Sequence, residues 1–183
     1  MFVKETMLEG VYCIEPKVFG DYRGWFLESW SKQIFAENGL VFEFVQDNHS
    51  YSAKKGTLRG LHFQTNPRSQ SKLIRCTKGI ILDVAVDIRK GSPTYGKWVS
   101  EELSGDNMKQ LLIPKGFAHG FLTLTDDVEV QYKVDEYYSL EYDAGFAWND
   151  SYVDIEWGTK DPVLSDKDKN APLLKDSKAN FYY

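Results

Sequence analysis

The chain has 183 residues, 42% of them hydrophobic, and a formal net charge of −5. One domain spanning residues 1–183 is the default at this length, with enough chain to bury a core. The acidic balance excludes the basic stripe expected of a nucleic-acid-binding domain, and no run is long and apolar enough to span a bilayer.

The start, Met1-Phe-Val-Lys-Glu-Thr-Met7, lacks an apolar h-region, so no signal peptide and a cytoplasmic location are expected. Cys13 and Cys76 are too few for a disulfide scaffold and suggest free thiols in a reducing compartment. A helix is predicted over Ser31–Asn38, with Ser31 as N-cap and Gly39 as the stop. Short strands follow. Thr57-Leu-Arg-Gly-Leu-His-Phe-Gln64 is a glycine-punctuated strand holding His62. In the next, Lys72 shares parity with Ile74 and Cys76, so it is expected to point inward. Ile80–Asp87 sets Ile80, Leu82, Val84 and Val86 against Asp83 and Asp87. Lys97–Leu103 and Gln110–Ile113 are further strands. Pro114-Lys-Gly-Phe-Ala-His-Gly-Phe121 leads into another and holds His119. Val128–Asp135 puts Val128, Val130, Tyr132 and Val134 on one face. Turn residues separate these strands at 90–93, 104–107, 114–116 and 125–127. Ser165-Asp-Lys-Asp168 opens a second short helix in a capping-box pattern, and residues 178–183 read as a tail. The expected fold is all-β, an antiparallel sandwich or jelly roll with a few short helices. Aromatics at 15% suit it.

Three side chains carry the chemical reading. Histidine moves protons near neutral pH, and a phenol on an apolar strand face must find a polar partner. His62 and Tyr132 facing each other across a barrel could remove and return protons on opposite sides of a substrate. A buried lysine is costly without an anionic counterpart, so an inward Lys72 suggests an anionic ligand or a developing enolate. Each also has a plain structural explanation: a hydrogen-bonded core histidine, a core tyrosine, an exposed ladder lysine. Asp168 reads locally as a cap; its other reading is a carboxylate orienting His62. Arg59 and His62 have opposite strand parity, so they converge only if Gly60 introduces a bulge or the barrel bends there. A metal site is not expected. The third histidine, His49, stands alone, no His-x-His or Cys-x2-Cys pair exists, and Gln64 follows His62 where a second ligand would sit.

Eight strings in order, Asp21-Tyr-Arg-Gly-Trp-Phe-Leu-Glu28, Gln46-Asp-Asn48, Leu58-Arg-Gly-Leu-His-Phe-Gln64, Ser71-Lys-Leu-Ile-Arg75, Asp83-Val-Ala-Val-Asp87, Pro114-Lys-Gly-Phe-Ala-His-Gly-Phe121, Tyr132-Lys133 and Leu164-Ser-Asp-Lys-Asp168, resemble the dTDP-4-dehydrorhamnose 3,5-epimerase family of the cupin superfamily. The resemblance runs from about Phe19 through Asp168. It implies a cupin-type double-stranded β-helix (jelly roll) with an eight-stranded core, in a homodimer built by strand exchange. It implies no cofactor, and the degraded first cupin motif, His62-Phe-Gln64, supports a metal-free site. The implied reaction inverts C3 and C5 of dTDP-4-dehydro-6-deoxy-D-glucose, within dTDP-L-rhamnose biosynthesis. His62 would be the base, Asp168 its orienting partner, Tyr132 the acid and Lys72 the group facing the enolate oxygen. Arg23, Glu28, Gln46, Asp47, Asn48, Arg59, His119, Glu141 and Lys167 would surround the nucleotide sugar, and Phe26 and Tyr138 would pack on thymine. Arg23 and Glu28 would serve the neighbouring subunit's site. Trp25 stands where the family pattern usually has Phe. Two other activities fit parts of this pattern: epimerisation at a single carbon and, less well, a metal-dependent cupin oxygenase. A non-catalytic sugar-nucleotide-binding module is a further reading.

Overall fold

A computed structural model describes residues 1–183. Its strands are β1 (Phe2–Glu5), β2 (Tyr12–Glu15), β3 (Val18–Asp21), β4 (Gly24–Leu27), β5 (Gln46–Ser52), β6 (Leu58–Gln64), β7 (Lys72–Lys78), β8 (Ile80–Asp87), β9 (Arg89–Lys90), β10 (Trp98–Ser104), β11 (Gln110–Ile113), β12 (Phe117–Thr123), β13 (Val128–Val134), β14 (Asp143–Gly145) and β15 (Phe181–Tyr182). Two short α-helices, α1 (Lys32–Glu37) and α2 (Asp166–Lys169), and one 3₁₀ turn complete the chain. The fold is all-β, a cupin-type jelly roll. A six-stranded sheet, in the order β1-β2-β11-β7-β13-β5, faces a five-stranded sheet, β10-β8-β12-β6-β14.

Strand parity explains how the two sheets share a core. On β7, Ile74 and Cys76 point between the sheets; on β8, Ile81 and Ala85 do, and on β13, Val128 and Val130. The other parity of β8, Val84 and Val86, looks outward yet is also buried, because the C-terminal third of the chain covers that face with Phe146, Val153, Trp157 and Leu174. Both faces of β8 are therefore apolar-lined, which is why its sequence runs hydrophobic almost without interruption. On the outside of the six-stranded sheet, Phe35 of α1 and Leu40 close over Ile14, Leu73 and Leu112.

Helix α1 forms where the capping signals place it. The Ser31 side chain accepts from the Ile34 N–H, and Gly39 leaves the helix at φ +79°. Cys13 and Cys76 are buried free thiols, and burial pushes both up to about 11, so they stay protonated and inert. The tail reading of residues 178–183 is corrected. Phe181 and Tyr182 pair in parallel with Arg89 and Lys90, Phe181 is buried edge-on against Phe63, and Arg89 lies over the Phe117 and Tyr183 rings. That docking depends on partners about 90 residues away in sequence, which local patterning does not reveal. One element stands apart: the β3–β4 ribbon pairs only with itself and exposes Phe19, Trp25 and Phe26. No helix is long and apolar enough to cross a membrane.

Gly60 and Gly120 lie backbone against backbone at the irregularity in the antiparallel pairing of β6 with β12. A Cβ on Gly60 would lie 2.6 Å from Gly120 Cα and 2.8 Å from the His119 carbonyl oxygen, and Gly60 has φ +125°. Clash and left-handed strain add, so Gly60→Ala is expected to cost about 2–5 kcal/mol, lowering the thermal midpoint by roughly 5–15 °C. A calorimetric midpoint equal to that of the parent chain would show that the contact is not a constraint.

Candidate active site

The bulge required at Gly60 is present. Along β12, His119 and Phe121 are two residues apart; along β6 their partners, His62 and Arg59, are three apart. The extra residue resets the parity, so Arg59 and His62 both face the interior while Leu58, Leu61 and Phe63 remain in the outer apolar layer.

The interior faces of the two sheets enclose a cleft with two lobes that meet at His62, Lys72 and Tyr132. The inner lobe, about 380 Å³, adds Arg59, His119, Phe121, Leu164, Ser165 and Asp168. The outer lobe, about 330 Å³, adds Gln46, Asn48, Gln70, Tyr138, Asp143 and Lys167. His62 and His119 stand on the five-stranded sheet, directly opposite each other on β6 and β12. Lys72 and Tyr132 stand on β7 and β13 of the six-stranded sheet. An imidazole and a phenol thus border one space from opposite walls.

Helix α2 supplies the partner of His62. Asp168 Oδ1 lies 2.6 Å from His62 Nε2, while the Ser165 hydroxyl donates to Asp168 Oδ2 (2.8 Å) and accepts from the Asp168 N–H (3.1 Å). The cap and the contact with His62 coexist, because the capping serine holds both the backbone and the carboxylate of Asp168. Burial alone would raise this carboxyl; hydrogen bonds from His62, Ser165 and the Gly60 backbone outweigh it and hold the group below the usual carboxylate range. An anionic carboxylate at this distance can fix the orientation of the ring.

Lys72 has no ion-pair partner. Burial pulls its ammonium down to about 8, against the opposing pull of Asp143 and Asp83. Burial pushes the Tyr132 phenol up, partly countered by Arg59, so it is protonated at neutral pH and can act as a donor. His119, paired with Asp83 at 2.7 Å, is lowered by burial against the raising effect of that carboxylate. No group of three or more His, Cys, Asp or Glu side chains is placed to hold a metal ion.

The remaining predicted residues divide into three sets. Gln46, Asn48, Arg59, His119, Tyr138 and Lys167 line the cleft; Lys167 is ion-paired with Asp143, and the Arg59 guanidinium donates to the Tyr51 carbonyl (3.0 Å). Arg23, Phe26 and Glu28 lie on or next to the exposed β3–β4 ribbon, outside the cleft of their own chain; Arg23 pairs with Asp21. Asp47 and Glu141 are placed elsewhere. Asp47 has the opposite parity to Gln46 and Asn48, so it faces out of the six-stranded sheet and pairs with Lys133 at 2.7 Å. Glu141 is exposed and borders neither lobe; the acid in the cleft is Asp143, which contacts Lys167 and Tyr138. Sequence reasoning missed Asp143 because its strand, β14, has three residues, too few for alternation to declare a face.

Comparison with known proteins identifies the family. A family model described as dTDP-4-dehydrorhamnose 3,5-epimerase matches residues 5–176. The dTDP-4-dehydrorhamnose 3,5-epimerase of Shigella flexneri is 52% identical over 178 residues, 97% of this chain and 98% of that one. A crystal structure of the Bacillus anthracis enzyme with TDP and pyrophosphate bound shares 53% identity at a TM-score of 0.92, covering 94% and 98% of the two chains. The Legionella pneumophila dTDP-6-deoxy-D-glucose-3,5-epimerase, in complex with dTDP-4-keto-L-rhamnose, shares 44% at 0.91, covering 96% and 93%. The chain belongs to the dTDP-4-dehydrorhamnose 3,5-epimerase family.

The Lys72 environment gives a test without substrate. Its folded-state pKa lies below the unfolded value, so the charge costs stability below pH about 8, and the cost fades as pH rises toward the unfolded value. Lys72→Met should keep or raise the melting temperature at pH 7, with no gain near pH 11. A drop of several degrees at pH 7 would show that the ammonium is a structural partner instead.

Proposed function

We propose that this member of the family epimerises dTDP-4-dehydro-6-deoxy-D-glucose at C3 and C5, giving dTDP-4-dehydro-L-rhamnose for dTDP-L-rhamnose biosynthesis. The observation that carries it is the placement of His62 and Tyr132 on opposite walls of one cleft, with the Lys72 ammonium between the lobes. Both carbons flank the C4 ketone, which acidifies their protons. His62 Nε2 is engaged by Asp168, so Nδ1 is the nitrogen free to take a proton. Removal leaves an enolate whose negative charge faces Lys72; this interaction strengthens only as the charge develops, so it lowers the barrier rather than merely binding substrate. The Tyr132 phenol delivers a proton to the other face, inverting the centre, and recovers one from solvent. Lys72 meets the enolate charge, so the proposed steps need no metal or cofactor.

The same proposal extends to the rest of the cleft. The sugar occupies the inner lobe, and Arg59, His119 and Lys72 surround it. The diphosphate and nucleoside run through the outer lobe past Gln46, Asn48, Tyr138 and Lys167, with Asp143 in the place expected of Glu141. Residues 1–183 act as one domain, in the cytoplasm. Two chains form a homodimer by strand exchange. The exposed apolar ribbon β3–β4 and the unpaired edge of β5 support that arrangement, since both are surfaces a lone chain leaves open. The ribbon then brings Arg23, Phe26 and Glu28 to the partner's nucleotide, where the Arg fork suits a diphosphate.

Incubation of the keto-sugar nucleotide in D₂O should place deuterium at both C3 and C5 by NMR, and label at one carbon alone would point to a mono-epimerase. His62→Asn should lower kcat about 10²–10⁴-fold. Tyr132→Phe should still exchange deuterium while net inversion drops, because His62 returns protons to the face it took them from. Inversion at the parent rate in Tyr132→Phe would remove the phenol from the mechanism.

Strand exchange has its own test. Arg23→Ala and His62→Asn homodimers should each be nearly inactive, while a refolded equimolar mixture regains about a quarter of the parent activity, because half the dimers are mixed and each has one complete site. A mixture as inactive as its components would place Arg23 in its own chain's site.

A further inference from the structure

The cleft holds a second imidazole–carboxylate pair that the reaction as written does not use. Asp83 on β8 is fully buried, at 0% exposure, and lies diagonally across from His119 on β12. Its Oδ1 is 2.7 Å from His119 Nε2, and its Oδ2 is buried with no partner at all. A buried carboxylate oxygen left bare is uncommon and invites an explanation. Charge supplies one: the Lys72 ammonium, on β7 in the facing sheet, feels the field of Asp83. The groups around His119 are Asp83 on β8, His62 and Arg59 on β6, Lys72 on β7 and Tyr132 on β13.

Which nitrogen of His119 carries the proton follows from its partner. A carboxylate can only accept, so the ring must donate through Nε2. Burial keeps the ring from taking up a second proton. That leaves Nδ1 unprotonated, and Nδ1 is not among the enclosed polar atoms that lack a partner. We propose that Asp83 is a positioning residue: it fixes His119 in the Nε2–H tautomer, so that the Nδ1 lone pair meets the inner lobe as an acceptor for a ring hydroxyl of the sugar. The pair thereby complements Lys72. One group accepts from a hydroxyl, the other faces the oxygen that becomes the enolate, and the sugar can satisfy both only in one orientation. A neutral acceptor is the fitting choice here, because a second cation beside Lys72 would raise the cost of holding both. The same reasoning separates the two histidines. His62 is half-buried, at the junction of the two lobes; His119 is buried apart from the edge that meets the inner lobe, so a charge on it is costly.

The sugar-hydroxyl half of this inference rests on the epimerase reading, whereas the tautomer is measured on the ligand-free protein and stands or falls without it. In ¹⁵N-histidine NMR of the parent chain at pH 7, His119 should show a protonated Nε2 and a pyridine-type Nδ1. Asp83→Asn replaces an acceptor by an amide that can donate, so the proton should move to Nδ1 or be shared, as it does when a triad carboxylate becomes an amide. In that variant kcat/KM should fall about 10–100-fold, with dTDP affinity within about twofold because the nucleotide lies in the other lobe. In a His119→Gln background the same substitution should cost less than about twofold more, since Asp83 acts through His119. A parent His119 protonated on Nδ1, or losses that multiply in the double variant, would overturn the assignment.

Discussion

The near-contact of the Gly60 and Gly120 backbones governs the chemistry of this fold. A regular strand gives residues three apart to opposite faces, yet Arg59 and His62 must enter one cavity while Leu58, Leu61 and Phe63 stay in the outer apolar layer. The inserted residue resolves the conflict, and it fits only because neither glycine carries a Cβ: one on Gly120 would lie 2.9 Å from the Arg59 carbonyl oxygen. Gly60 pays in chain entropy, and its backbone also helps hold the Asp168 carboxylate down. A single irregularity therefore aims the imidazole, turns Arg59 inward and contributes to the charge of the partner carboxylate.

Around that irregularity the cleft is built to make charge expensive and useful. Phe121, Val163 and Leu164 wall the inner lobe alongside the polar groups, and they lower the local dielectric. In such a medium Lys72 has no internal partner and loses part of its grip on its proton. In the proposed reaction a negative oxygen arriving in front of it relieves that penalty, so stabilisation would grow with the charge on the enolate. The phenol of Tyr132 experiences the opposite effect of the same burial and stays a proton donor. One physical environment thus sets the acid and the electrostatic group, each in the protonation state its proposed task requires.

Period-two patterning was enough to predict much of this. Inward placement of Lys72 follows from its parity with Ile74 and Cys76, and the common face of Val128, Val130 and Tyr132 is the face that lines the core. Parity also states what it cannot decide: Arg59 and His62 converge only through a bulge, and a glycine in a strand marks where a bulge can be without proving it. Asp47 illustrates the converse. It belongs to a string that resembles a binding motif, yet alternation puts it on the opposite face from Gln46 and Asn48, and here alternation describes the structure. Glu141 and Asp143 differ by two residues in a stretch whose only regular structure is three residues long, so nothing local separates the exposed acid from the enclosed one. The docking of Phe181 and the burial of both faces of β8 depend on segments far apart in the chain, and no window of sequence contains that information.

Asp168 shows how a local signal and a long-range role can share one residue. A helix of four residues has little stability of its own, and its capping serine would be a modest contribution on an isolated peptide. Here the segment before it is stitched to the approach of β6. The Val163 N–H donates to the Gly56 carbonyl (2.8 Å) and the Val163 carbonyl accepts from the Leu58 N–H (3.0 Å). Ser165 then grips both the backbone and the carboxylate of Asp168. The carboxylate and the imidazole are therefore anchored at two points of the same strand, four to six residues apart, despite lying 106 residues apart along the chain. Sliding the C-terminal segment would break the strand contacts and the His62–Asp168 contact together. The geometry of the His62–Asp168 pair is thus protected by backbone hydrogen bonds outside the pair itself, and a cap sufficient to start a helix becomes sufficient to hold the carboxylate against the imidazole.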